Sequence, residues 1–196
     1  MILNDLSSPL ALLETRRSGR PRDIIAPGPS DEQVERILTI AARVPDHGKL
    51  FPWRFITVAT DQRQALAELL ARALPIHDAT ATAAHFAKAL EFAHQAPALV
   101  VVVSSPTAGH KIPVWEQQLS AGAAAMNLLL ATHAMGFVGG WITGWAAYSE
   151  TVRAAFCAPD ERIVGFFFLG TPALSLEERP RAPLAALIRR WTPPSS

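Results

Sequence analysis

The chain has 196 residues, of which 49% are hydrophobic and 18% charged, enough apolar content to bury a core in one domain spanning residues 1–196 without a linker. Eighteen Lys and Arg against seventeen Asp and Glu leave a formal charge of +1, which argues against the strongly basic face that a nucleic acid or an anionic membrane selects. One cysteine, Cys157, excludes an internal disulfide and a cysteine-based zinc site; no signal-peptide pattern opens the chain and no apolar run is long enough to span a bilayer, so a cytoplasmic protein is expected.

The first expected helix is PLALLETRRS, with Leu10 and Leu13 turned inward. SDEQVERILTIAARV follows as a second: Ser30 and Gln33 have the spacing of a capping box, Val34, Ile37, Leu38 and Ala41 form an apolar stripe, and Pro45 is the expected stop. WRFITVAT has strand composition, and Asp61 is the expected opening of a third helix with Leu66, Leu69, Leu70 and Ala73 on one face. Pro75 to Gln95 is Ala-rich and helical in character, with polar residues on several sides. It reads equally as a lid or as a plain surface helix pair. ALVVVVS is a continuous apolar run, the pattern of a strand covered on both faces.

WEQQLSAGAAAMNLLLATHAMG is the expected central helix. Trp115, Leu119, Gly122, Met126, Leu129 and His133 follow helical spacing, and most of the remaining surface is small and apolar. A helix apolar nearly all round must be buried on all sides, so part of its cover is expected from a second subunit, with Ala121, Gly122 and Ala125 allowing close approach. GFVGGWITGW reads as a glycine-rich turn region, SETVRAAF as a short helix capped by Ser149, and RIVGFFFLGTP as a strand, before a basic tail, EERPRAPLAALIRRW. The long helical stretches between strands are compatible with parallel or mixed pairing, and no phosphate loop or G-x-G-x-x-G follows any strand, which argues against a dinucleotide-binding doubly wound fold.

Two arginine clusters stand out. RRSGRPR places Arg16, Arg17 and Ser18 directly after a helix, either as a solvated basic loop or as a phosphate cradle of guanidinium forks and a hydroxyl. Arg179 and Arg181 lie two apart after the last strand, so in extended chain both reach the same side. His47 sits in PDHGKLFP between two prolines; the commonest role of such a loop histidine is a structural hydrogen bond, and the sharper one is contact with a ligand, with Pro45 ending the helix so that Asp46 and His47 project together. No histidine shows metal-ligand spacing, Cys157 reads as a small buried hydrophobe, and Glu14 and Glu116 show no sign of pairing.

In their order, LLETRRSGR, ILTIAARVPDHGKLFPWRFITV, WEQQLSAGAAAMNLLLATHAMGFVGGWITG, IVGFFFLGTP and RPRAP resemble the nitroreductase family of flavin-dependent oxidoreductases, and PDH with HKIPVWEQQLSAG is most similar to its compact YdjA-type branch. The resemblance covers all but about Pro75 to Gln95. It implies an α+β fold with a central mixed or antiparallel sheet flanked by helices, in an intertwined homodimer with FMN at the subunit interface. It implies NADH or NADPH as electron donor and a small acceptor such as a nitroaromatic or quinone. Residue by residue, it implies flavin contacts from Arg16, Arg17 and Ser18, from Arg43 and His47 of the neighbouring subunit, from Trp141, Ile142 and Thr143 beside the ring, and from Arg179 and Arg181 at the phosphate. No metal and no covalent catalytic residue is implied. Where the YdjA-type pattern has Trp-Arg-Ser, this chain has Trp141-Ile142-Thr143, so the middle side chain brings no positive charge to the ring. That departure keeps open a flavin-binding or flavin-handling module with little turnover. A dimer that binds some other small anion is the remaining reading.

Overall fold

The computed structural model describes residues 2–194. Helix α1 (Pro9–Thr15) is capped by the Ser8 hydroxyl, and strand β1 (Ile24–Ile25) follows a single turn of tight helix. In α2 (Asp31–Ala41) Ser30 and Gln33 make the reciprocal capping box, and Val34, Ile37 and Ala41 are buried. Then come β2 (Trp53–Thr57), α3 (Arg63–His77), α4 (Ala83–His94) and β3 (Ala98–Ser104). The long α5 (Val114–Ala134) leads to β4 (Val138–Ile142), α6 (Gly144–Tyr148), α7 (Glu150–Phe156) with its Ser149 cap, β5 (Arg162–Pro172) and a short α8 (Leu184–Leu187) in the tail.

The five strands form one sheet in which β5 is the hub, pairing with β3, β4 and β1 while β2 continues from β3. Side chains alternate across it. Leu99, Val101, Val103, Phe166 and Phe168 face the layer of α3, α4, α6 and α7, whereas Val100, Val102, Phe167 and Leu169 face α2 and α5. Both faces are covered, so β3 and β5 read as unbroken apolar runs rather than alternating ones. Among the described residues no helix is long and apolar enough to cross a membrane.

Several expectations are corrected. Among the described residues every strand pairing is antiparallel, as the family resemblance allowed, and not the parallel or mixed pairing that the helical stretches between strands left open. Between β2 and β3 the chain makes two packed helices, one outward and one back, and so returns to the sheet in the opposite direction. The glycine-rich stretch is strand β4, not a turn. A Cβ at Gly139 would stand 2.7 Å from Leu129 Cδ2, and one at Gly140 2.7 Å from the Gly19 carbonyl oxygen, so these glycines serve close approach. Helix α2 stops at Ala41, ahead of Pro45, where the Asn127 amide of α5 donates to the Ile40 carbonyl. Asp61 lies in a tight turn before α3, which begins at Arg63. In α1 it is Leu12 that is buried; Leu10 and Leu13 are exposed. Ala121 and Ala125 are buried in this chain's own core, so the stripe of α5 open to a neighbour is Trp115 and Leu119, with Gly122 and Met126 half-buried beyond them.

Candidate functional site

The segment after α1 is held from two sides. The Asn4 amide donates to the Arg17 carbonyl (3.1 Å) and its Oδ1 accepts from the Arg17 N–H (2.6 Å), while the Gly19 N–H donates to Gly139 O of β4 (3.1 Å). The tail leaving β5 folds back over this segment. Arg17, 7% exposed, donates through Nε to Glu177 O (2.8 Å); Arg20 pairs with Glu177 (3.5 Å); Arg181 donates to Arg16 O (3.4 Å) and to Glu178 (2.9 Å). Between them lies a crevice of about 160 Å³ lined by Arg17, Ser18, Arg20 and Arg179, with Glu177 and Glu178. The two arginine clusters are therefore one site, and Arg20 joins it; its place in RRSGR, two beyond Ser18, was the available signal.

Positive charge exceeds negative here: Arg16, Arg17, Arg20, Arg179 and Arg181 stand against Asp23, Glu177 and Glu178, with Arg20 and Arg181 ion-paired. Burial pushes the Arg16 guanidinium below its ordinary range and Arg181 pushes it further; Arg17 is lowered by burial, then by Arg179 and Arg181. Arg16 Nη1 is buried with no hydrogen-bond partner. A buried charged donor without an acceptor is costly, and a bound anion is the group that would satisfy it.

Trp141 and Ile142 end β4, two and three residues beyond the Gly139 that holds Gly19, and Thr143 is the N-cap of α6. The Trp141 indole N–H donates to Val164 O (3.0 Å) and its ring lies against Phe167, 5.1 Å between centroids. The indole fills the space above Gly165, where any Cβ would collide with it. Ile142 and Thr143 are half-buried and offer no charge to this end of the site.

Arg43 and His47 lie elsewhere. Asp46 does not project outward as a companion to His47: its carboxylate accepts from the amides of Leu50 (3.1 Å) and Phe51 (2.9 Å) and closes a loop in which Gly48, Lys49 and Phe51 all have positive φ. His47 does project, with Nδ1 2.7 Å from Glu116 Oε2 at the start of α5. Glu116 thus has a partner, 69 residues away in sequence, that no local pattern reveals. Arg16 acts on the other end of α5, where its charge bears on His133. Glu116 and His133 stand nearly the length of the helix apart, about 25 Å at about 1.5 Å per residue. His47 and the arginine cluster therefore lie toward opposite ends of α5.

His133 is 1% exposed, and its Nε2 accepts from the Gly139 amide (3.2 Å), which puts the proton of the neutral ring on Nδ1. Burial, assisted by the Arg16 charge, lowers its pKa from 6.5 to about 4. Glu161 is shifted for another reason: hydrogen bonds from Arg54 hold its carboxyl at about 2 rather than 4.5. The signs give two separate acid steps. Between pH 6.5 and 4 the unfolded chain takes a proton at His133 that the folded chain refuses, so stability should fall by about 3 kcal/mol. Between pH 4.5 and 2 the folded state should lose a further 2–3 kcal/mol, roughly, as Glu161 is neutralised beside the partly exposed Arg54. Denaturant titrations across this range check both steps, and Glu161→Gln should remove the lower one while leaving the upper.

Residues 13–171 match the Nitroreductase family. The chain belongs to that family. It is 37% identical over 84% of its length to YdjA of Escherichia coli K12, provisionally named an NAD(P)H nitroreductase, covering 88% of that protein. With a Haemophilus influenzae protein of the same provisional name it shares 40% identity over 83% of this chain and 87% of the other. In fold it is similar to a solved nitroreductase-like protein of Bacillus cereus, TM-score 0.79 at 19% identity over 94% and 96% of the two chains. A protein of Desulfovibrio desulfuricans provisionally named a nitroreductase and solved with FMN has a TM-score of 0.70 at 23% identity over 96% and 99%. The family match begins inside α1 and ends at the close of β5, so it takes in Arg16 to Arg20 and leaves out the tail that folds over them.

Proposed function

We propose that this nitroreductase-family protein is an FMN-dependent oxidoreductase that passes electrons from NADH or NADPH to a small acceptor such as a nitroaromatic or quinone. The observation that carries the reading is the unpartnered Arg16 Nη1 within a cluster of mutually repelling arginines, a site suited to a phosphate monoester. Arg16, Arg17, Ser18, Arg179 and Arg181 hold the FMN phosphate in this reading, Arg20 stands beside them, and Trp141 to Thr143 border the ring. FMN, when bound, supplies the hydride chemistry; the protein supplies orientation and electrostatics. Ile142, being uncharged, brings no positive charge to the ring. Anaerobic mixing with NADH or NADPH tests this: the flavin band should bleach and recover when an acceptor is added. A flavin that stays oxidised leaves only the flavin-handling module.

The site is completed by a second copy of the chain. His47 sits against the first turn of α5 while the Arg16 charge bears on its last turn, so in this reading a flavin contact from His47 comes from the neighbour. Three further features suit an intertwined homodimer. Trp115 and Leu119 form an exposed stripe on α5; β2 pairs only with β3 among the described residues; and Leu184, Leu187, Ile188 and Trp191 of the tail are all more than 60% exposed. Replacing His47 by Ala should then weaken FMN binding by roughly one to two powers of ten, the loss of one hydrogen bond worth about 1–3 kcal/mol at a covered site. Flavin titration checks it, and a melting temperature unchanged by the substitution would separate this role from a structural one.

A further inference from the structure

The cavity between the α3–α4 pair and the β4–α6 junction is, we infer, the acceptor pocket, and it selects planar aromatic or quinoid acceptors that carry an anionic substituent, with Lys88 as the specificity residue. The inference rests on the FMN reading above, because Ile142 and Thr143, which border the ring in that reading, also form one wall of this cavity. Its volume is about 570 Å³, within the range of small-molecule sites and larger than one aromatic ring requires.

Its walls suit a flat apolar body. Trp145 is stacked on His77, 5.5 Å between centroids at 29°, and presents an aromatic surface. Phe92 is locked edge-on against Phe166 and Phe168, 5.2 and 5.1 Å away, so this wall is firm before any ligand arrives. Leu70 and Leu74 complete the apolar lining from α3.

The polar groups at the rim lean toward donation. Lys88 makes no ion pair among the described residues. His85 accepts the Thr82 amide on Nδ1 (3.2 Å), which leaves its proton on Nε2. The acid of the rim, Asp78, stays ionised, and its Oδ1 is turned to the Thr80 amide (2.9 Å) and hydroxyl (2.6 Å), so Lys88 on α4 is the rim charge that is free to meet an anion. An apolar slot with an uncommitted ammonium and an imidazole N–H favours a ring bearing a carboxylate or phenolate over its uncharged counterpart.

The test uses a matched pair, para-nitrobenzoate and para-nitrobenzamide, which differ chiefly in charge. Both are titrated into the purified protein while tryptophan fluorescence is followed, with Trp145→Phe identifying the signal that belongs to the cavity, and both are then used as acceptors in turnover. Wild-type protein should bind and reduce the carboxylate in preference to the amide. Lys88→Met should lower affinity and kcat/KM for the carboxylate by about tenfold and leave the amide and the flavin content unchanged. The inference is overturned if the substitution affects both compounds equally, if wild-type protein shows no preference for the carboxylate, or if Lys88→Met loses flavin. A protein that binds no FMN would overturn the functional reading instead, while the fluorescence titration would still report on the cavity.

Discussion

Leu119→Glu should dissociate the proposed dimer into a folded monomer and weaken FMN binding by about two powers of ten or more. Leu119 is 53% exposed on a single chain, so a carboxylate there costs the isolated fold little. In the proposed dimer it lies on the open stripe of α5 with Trp115, where an unpaired charge in an apolar interface costs several kcal/mol. The flavin should follow, because in the proposed dimer His47 comes from the neighbour. Sedimentation velocity combined with flavin titration checks the two losses together. Ala125→Glu is the contrasting variant: Ala125 is fully buried against the sheet of its own chain, so that change should unfold the protein rather than dissociate it. A Leu119→Glu protein that stays dimeric with normal FMN affinity would place the interface elsewhere.

Arg16→Met should separate stability from function. In the ligand-free chain the buried Nη1 has no acceptor, a desolvation cost of about 1–3 kcal/mol that an apolar side chain of similar length does not incur. The variant without FMN should therefore melt no lower than the parent and up to several degrees higher, at roughly 2–4 °C per kcal/mol for a chain of this size. Its FMN affinity should fall about a hundredfold, since a charge-assisted contact to the phosphate is gone. Thermal melts with and without FMN give both numbers. The parent should gain stability on adding FMN and the variant should gain far less. A variant that melts well below the parent without FMN would make Arg16 a structural residue.

What the sequence by itself determined is whatever rests on local chemistry. Ser30 and Gln33 cap a helix and Ser149 caps another because a hydroxyl three residues ahead of a free amide needs no distant partner. The runs in β2, β3 and β5 read as strands from composition alone, and the one in β3 as covered on both faces. The ordered motifs sufficed for the family, and the basic character of Arg16 to Arg20 and of Arg179 to Arg181 was visible in each cluster separately. Only the tertiary structure decided how distant groups meet. Gly139 and Gly140 look like turn glycines until Leu129 and Gly19 are seen against them. His47 looks solitary until Glu116 arrives from 69 residues away, and Asp46 looks outward-facing until its carboxylate is found closing its own loop. The arginine clusters become one site because Arg17 reaches Glu177 across 160 residues of chain. Such contacts follow from how the layers stack on the sheet, and no short window of sequence carries that information.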